Sequence, residues 1–178
     1  MKKLFRHLAI AIALGSLSAA ALLGGEAQAA LSADEASVKA GYIFNFMKFV
    51  DWPPQFQTQT VNVCVLGSNP FGRVLESLSG KPIRNRPIRV VTDVPLGQVR
   101  YCHVVFVSRS EAGRLTNALL RLRQTPILTV SDIEGFSDHG GVIELLTGTN
   151  GEVAFRVSQK SAEEVGLRVS SKLLSLSR

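Results

Sequence analysis

At 178 residues, 46% of them hydrophobic and 19% charged, with a mean hydropathy of +0.18, the chain has the length and apolar content of one domain with a sizeable core. That composition excludes intrinsic disorder, and two cysteines are too few for a disulfide-scaffold miniprotein or a four-thiolate zinc site. The formal charge is +6, and beyond the N-terminal segment the basic residues are scattered apart from Arg84, Arg86 and Arg89, without the dense stripe interleaved with aromatics that a nucleic-acid groove would want.

Lys2, Lys3 and Arg6 precede an apolar run from Leu8 to Leu23 and a small-residue site, Ala27-Gln28-Ala29. This is the order of a cleavable secretory signal, so removal of residues 1–29 by cleavage after Ala29 is expected, leaving a single domain over 30–178. As a membrane span the run is short and is broken by Gly15, Ser16 and Ser18. Cleavage leaves 17 Lys+Arg against 13 Asp+Glu, a net charge of +4. The leader is bacterial in style and predicts a soluble mature protein in the periplasm.

Ser32-Ala33-Asp34-Glu35 reads as a capping box, with Ser32 accepting from the amide of residue 35 and Glu35 reaching back. Behind it Ala36, Ala40, Ile43, Met47 and Val50 recur at helical steps, widened by Phe44, Phe46 and Phe49, and Trp52-Pro53-Pro54 stops the helix. Val61–Leu66 reads as a buried strand, Gly67-Ser68-Asn69-Pro70 as a turn and Phe71–Leu78 as a short helix. That strand, turn and helix lack both G-x-G-x-x-G and a Lys-Ser/Thr pair, so a phosphate cradle is not predicted.

Gly80–Asn85 reads as a polar turn region, Arg86–Thr92 as a strand, and Asp93–Tyr101 as a short helix or turn. Val104–Val107 has the continuous apolar pattern of a strand covered on both faces. Ser108–Glu111 caps a helix expected to run to about Arg123. Pro126–Val130 and Val142–Leu146 are the next strands, and Asn150-Gly151 marks a hairpin into Glu152–Val157. Helices over Ser158–Gly166 and Ser170–Leu176 end the chain. Strands alternating with helices predict an α/β fold: a three-layer sandwich whose mixed, mostly parallel sheet carries a C-terminal antiparallel hairpin and helices on both faces.

Cys64 lies within the first strand of this sheet and Cys102 just before the Val104 strand; if the strands are neighbours, their sulfurs come within bridging distance. Export and an even cysteine count favour a disulfide, structural or redox-regulatory, over two buried thiols. His103 reads as a core histidine. His139 with Asp132, Glu134 and Asp138 reads as a solvated acidic loop, since no metal-ligand spacing is present. A hydrolase built on Ser131, His139 and Asp132 is a reading that only geometry can support. No catalytic, cofactor-binding or metal residue is assigned.

Val38–Pro53, Cys64–Gly67 with Pro70-Phe71-Gly72, Cys102–Ser108, Leu128–Asp132 with Gly135-Phe136, Gly140–Ile143 and Gly166–Leu174 together resemble, in order, the YfiR family of bacterial periplasmic proteins. The resemblance implies a non-enzymatic regulator that binds the periplasmic part of an inner-membrane diguanylate cyclase and inhibits it, lowering cyclic di-GMP and biofilm formation. It also implies an outer-membrane lipoprotein that sequesters the regulator. Cys64 and Cys102 match the family's cysteine pair; a second pair known in the family, in the C-terminal third, is missing here. A homodimer is compatible with this role. The alternative is a periplasmic small-molecule sensor using the crevice near Gly67-Ser68-Asn69.

Overall fold

A computed structural model describes residues 32–178; the predicted leader and its cleavage position after Ala29 lie outside the described residues. Helix α1 (Ala33–Phe49) begins where the sequence places it, with Ser32 Oγ accepting from the Glu35 amide at 3.1 Å. Only that half of the predicted capping box forms. The Glu35 carboxylate turns instead to Lys39 at 2.7 Å and accepts from the Thr147 hydroxyl at 3.0 Å.

The main sheet has seven strands in the order β3-β4-β2-β5-β6-β7-β8: β2 (Val61–Leu66), β3 (Pro82–Ile83), β4 (Arg86–Val94), β5 (Val104–Val107), β6 (Leu128–Ser131), β7 (Ile143–Thr147) and β8 (Val153–Val157). β4, β2, β5, β6 and β7 run parallel, while β3 and β8 close the margins as antiparallel hairpins. The expected mixed, mostly parallel sheet with its C-terminal hairpin is therefore present.

Pleating sorts the buried strand residues onto two faces. Val63, Val65, Val104, Phe106, Leu128 and Val130 pack with Ile43, Phe46 and Met47 of α1. Helix α3 (Gln159–Glu164) and helix α4 (Ser171–Leu174) cover the same face through Ala162 and Leu173. Cys64, Leu66, Val105 and Val107 point the other way, onto Leu115, Ala118, Leu119 and Leu122 of α2 (Leu115–Leu122). Helices thus cover both faces, three on one and one on the other.

Several local expectations give way to tertiary geometry. The Gly80–Asn85 region contains β3, joined to β4 through Arg84 and Asn85 with φ of 50° and 66°, the pair of left-handed residues that a two-residue hairpin turn needs. Pro70–Val74 forms turns, with a 3-10 segment following at Leu75–Leu78, where a helix was expected. After Ser108 the chain makes a 3-10 stretch, Arg109–Arg114, before α2 begins. A two-residue ladder of β1 (Val50–Asp51) with β9 (Arg168–Val169) leaves no period in the sequence because it is shorter than one alternation.

Candidate functional site

The chain enters the parallel sheet at β2, moves to β4 on one side, then crosses to β5 on the other. This reversal makes the carboxyl ends of β2 and β5 the topological switch point, where α/β sheets open a crevice. A cleft of about 1030 Å³ lies on the β2 side of that point. Leu66, Val94, Leu96 and Leu115 supply apolar surface, and Asp93, Glu111, Arg114 and Arg121 supply charge of both signs.

Local backbone shapes the cleft. Between the pairs Cys64–Val91 and Leu66–Val94, the single β2 residue Val65 stands opposite two of β4, Thr92 and Asp93, so β4 bulges and Asp93 takes φ of 55° at the rim. Gly67 has φ of 83°, and a Cβ there would collide with Ser110 Oγ and Glu111 Cγ. Ser110 Oγ instead accepts the Ser68 amide at 2.9 Å, which draws the turn after β2 onto the segment after β5. Glu111 is buried and pairs with Arg114 at 2.9 Å. The sequence reading placed a crevice at Gly67-Ser68-Asn69; Gly67 and Ser68 do line the cleft, and the charged groups of its far wall come from the helix after β5.

On the α1 face of the same sheet end sits a buried charge cluster that the sequence reading missed. Lys39 has no exposed surface; its Nζ lies 2.7 Å from both Asp132 Oδ2 and Glu35 Oε1. Arg109 Nε approaches Asp132 at 3.3 Å from the solvent side. The hydrogen bond and charge of Lys39 hold the Glu35 carboxyl below its ordinary range, against the upward push of partial burial. The available signal was Lys39 falling three residues after Ala36 and one before Ala40, on the apolar stripe.

This cluster disposes of the hydrolase reading. Asp132 is committed to Lys39, Ser131 Oγ donates to Val107 O at 2.7 Å, and His139 Nδ1 sits 2.7 Å from Gly135 O. The three side chains therefore serve separate structural bonds. Among the described residues, no group of three or more His, Cys, Asp and Glu is arranged to hold a metal, so Asp132, Glu134, Asp138 and His139 do not form a centre.

Cys64 and Cys102 are joined as a disulfide with their Cα atoms 6.0 Å apart, both buried on the α2 face. β2 and β5 are adjacent, so Cys64 faces the β5 register at Val105 while Cys102 stands at the entry to that strand. His103, next to the bridge, is buried as read from the sequence: its Nδ1 accepts the Asn62 amide at 3.1 Å. That assigns the proton to Nε2, which lies 3.1 Å from Phe56 O. Burial, then the charge of Arg86, lowers this imidazole to about 4, although the Phe56 carbonyl works in the opposite direction.

Among the described residues no helix is long and apolar enough to cross a membrane. The family model described as YfiR/HmsC-like matches residues 36–178. No protein of curated function matches the chain. Among solved structures, a conserved domain protein from Vibrio cholerae O1 biovar El Tor is similar at a TM-score of 0.54 and 9% identity, over 80% of this chain and 58% of that one. The chain thus spans less than two thirds of that protein, and the likeness concerns the fold alone.

Proposed function

Because the chain belongs to the YfiR/HmsC-like family, we propose that it is a periplasmic regulator that binds the periplasmic part of an inner-membrane diguanylate cyclase and represses it. YfiR-like proteins repress diguanylate cyclases without being enzymes themselves, and the match over residues 36–178 is the observation that carries the reading. The Cys64–Cys102 bridge supports it, since such a bond persists in an oxidising compartment. The leader over 1–29, cleaved after Ala29, supplies the route there.

Repression of this kind needs only differential affinity. A regulator that binds the inactive cyclase conformation more tightly than the active one shifts the population, and cyclic di-GMP and biofilm fall with it. An outer-membrane lipoprotein that sequesters the regulator relieves the repression. Deleting the gene and measuring cyclic di-GMP tests this. A rise, restored by complementation, with a membrane cyclase co-purifying, is the expected result; unchanged levels with no cyclase recovered refute it.

A second reading, a periplasmic small-molecule sensor, is favoured by one observation, the cleft at the switch point with Asp93 and Arg121 on its rim. A thermal-shift screen against a metabolite library addresses it. A hit whose shift is lost in both Asp93→Ala and Arg121→Ala places the ligand in the cleft, and a screen without such a hit removes the reading.

A further inference from the structure

The outward face of α1 departs from that of an ordinary surface helix, which is polar and pairs its lysines with acids. From Ala36 to Val50 the sequence has no carboxylate. Helical spacing sets Val38, Gly41, Asn45 and Lys48 on the solvent side, between Phe44 and Phe49, which pack against the core only in part. Val38 is 46% exposed, and a Cβ at Gly41 would meet nothing within 4 Å, so the middle of the face is apolar and open. Lysines surround it. The Nζ atoms of Lys48 and Lys81 lie 4.2 and 5.9 Å from the centre of the Phe44 ring, and Lys172 Nζ lies 5.7 Å from that of Phe49. Lys81 comes from the residue before β3 and Lys172 from α4, so three separate elements bring cations to one face. None of the three joins an ion pair among the described residues, and Asp51, the acid that follows the helix, is tied to Arg84.

We propose that this face of α1 docks on an anionic bilayer surface, with Phe44 and Phe49 at the boundary of headgroups and acyl chains and the three lysines on the phosphates. The chemistry of the face selects the occupant. Half-buried aromatics ringed by long cationic side chains suit that boundary: the stems of the lysines lie along apolar surface, and their ammonium groups swing from the phenyl faces toward the headgroups. Fixed recognition of protein carboxylates favours the guanidinium fork and a shaped pocket. Here the cations over the rings are ammonium groups on flexible stems, and the cleft of the molecule lies across the sheet, against α2. Each lysine close to an anionic surface strengthens attachment by roughly fivefold, so the three together supply about a hundredfold. The inference does not rest on the repressor reading above, and lipid binding is measured with no cyclase present.

Co-sedimentation with vesicles tests it, using residues 30–178, which keep the whole described fold and lack an apolar leader that would bind lipid by itself. The protein should pellet with vesicles of phosphatidylcholine and phosphatidylglycerol, stay in solution with phosphatidylcholine alone, and be released by high salt. Gly41→Glu sets a carboxylate in the middle of the face, at an open helical position where any side chain improves on glycine. It should weaken binding by more than roughly tenfold with no fall in melting temperature, while Gly41→Lys should bind at least as tightly as wild type. Arg100→Glu, in the segment Leu96–Tyr101 whose Val99 packs on the α2 side of the sheet, should leave the affinity within about twofold. Should Gly41→Glu lose its fold, Lys48→Gln with Lys81→Gln and Lys172→Gln, all exposed, is read in its place and should weaken binding by about a hundredfold. No retention on the mixed vesicles overturns the proposal. So do equal losses in Gly41→Glu and Gly41→Lys, or a loss in Arg100→Glu that matches Gly41→Glu and so reports net charge alone. Capture on a polyglutamate resin without binding to vesicles assigns the face to an acidic protein and overturns it equally.

Discussion

Lys39 Nζ and Asp132 Oδ2 meet at 2.7 Å, with side chains 0% and 2% exposed, and so fasten the second turn of α1 to the carboxyl end of β6. A pair this deeply buried draws little net stability from its own attraction, because both charges are stripped of water. Removing one partner is another matter. Lys39→Met leaves Asp132 with only the exposed Arg109 and should cost about 3–5 kcal/mol in chemical denaturation. Lys39→Met with Asp132→Leu should recover most of that loss, and a double variant no better than the single one would show that the pair is not coupled as its geometry requires.

The bridge between Cys64 and Cys102 closes a loop with a sequence separation of 38. In the chain-entropy account a loop of that size stabilises by about 4 kcal/mol. The protein should show no titratable thiol under denaturing conditions, and Cys64→Ala with Cys102→Ala should lower the melting temperature by several degrees or more. Two thiols in freshly isolated protein would contradict the bond.

The same two cysteines show what a sequence makes legible. The strand that carries Cys64, Val61–Leu66, is apolar except for Asn62, the strand that follows Cys102, Val104–Val107, is a continuous apolar run, and each forms over the residues the pattern marks. The bridge then needs only their adjacency, which alternation of strands and helices suggests. Lys39 is the opposite case. A cation beside Ala40 on an apolar stripe reads as a defect until Asp132, 93 residues away, is seen to meet it. The bulge at Asp93 was hidden for a related reason: two residues opposing one is a property of register with β2, and β4 alone gives no sign of it.

His103 sets a pH dependence on the acidic side. The folded imidazole titrates at about 4, whereas an unfolded one titrates near 6.5. Between those values the unfolded chain binds the additional proton, so stability falls as pH drops through the window and the loss levels off below it. The full effect is at most about 3 kcal/mol. Urea unfolding of wild type and His103→Gln from pH 7.5 to 4.5 isolates it from the carboxylates. Wild type should lose more stability than the variant across that range, and parallel curves would assign the slope to other groups.

Glu144 pins the loop between β6 and β7. Burial works to raise its carboxyl, but the Ser137 hydroxyl at 2.7 Å and the Ser137 and Gly135 amides at 3.1 and 2.9 Å outweigh it, with Arg156 at 3.6 Å, and hold the group below its ordinary range. A carboxyl lowered on folding stabilises at neutral pH and surrenders that contribution as pH falls through its folded value. Glu144→Gln keeps the shape but turns an amide donor toward groups that are themselves donors, so it should cost about 2–3 kcal/mol. The loop is held at its other end by Gly141, where a Cβ would collide with the Phe136 ring, and by the Gly141 amide donating to Phe136 O at 2.9 Å. Those contacts survive the substitution, so the damage should begin locally. Amides of residues 133–139 should exchange faster in Glu144→Gln while those of β5 and β6 keep their protection at matched stability. Uniform acceleration across the sheet would mean that the carboxylate supports the core as a whole and that the loop is not a separate unit.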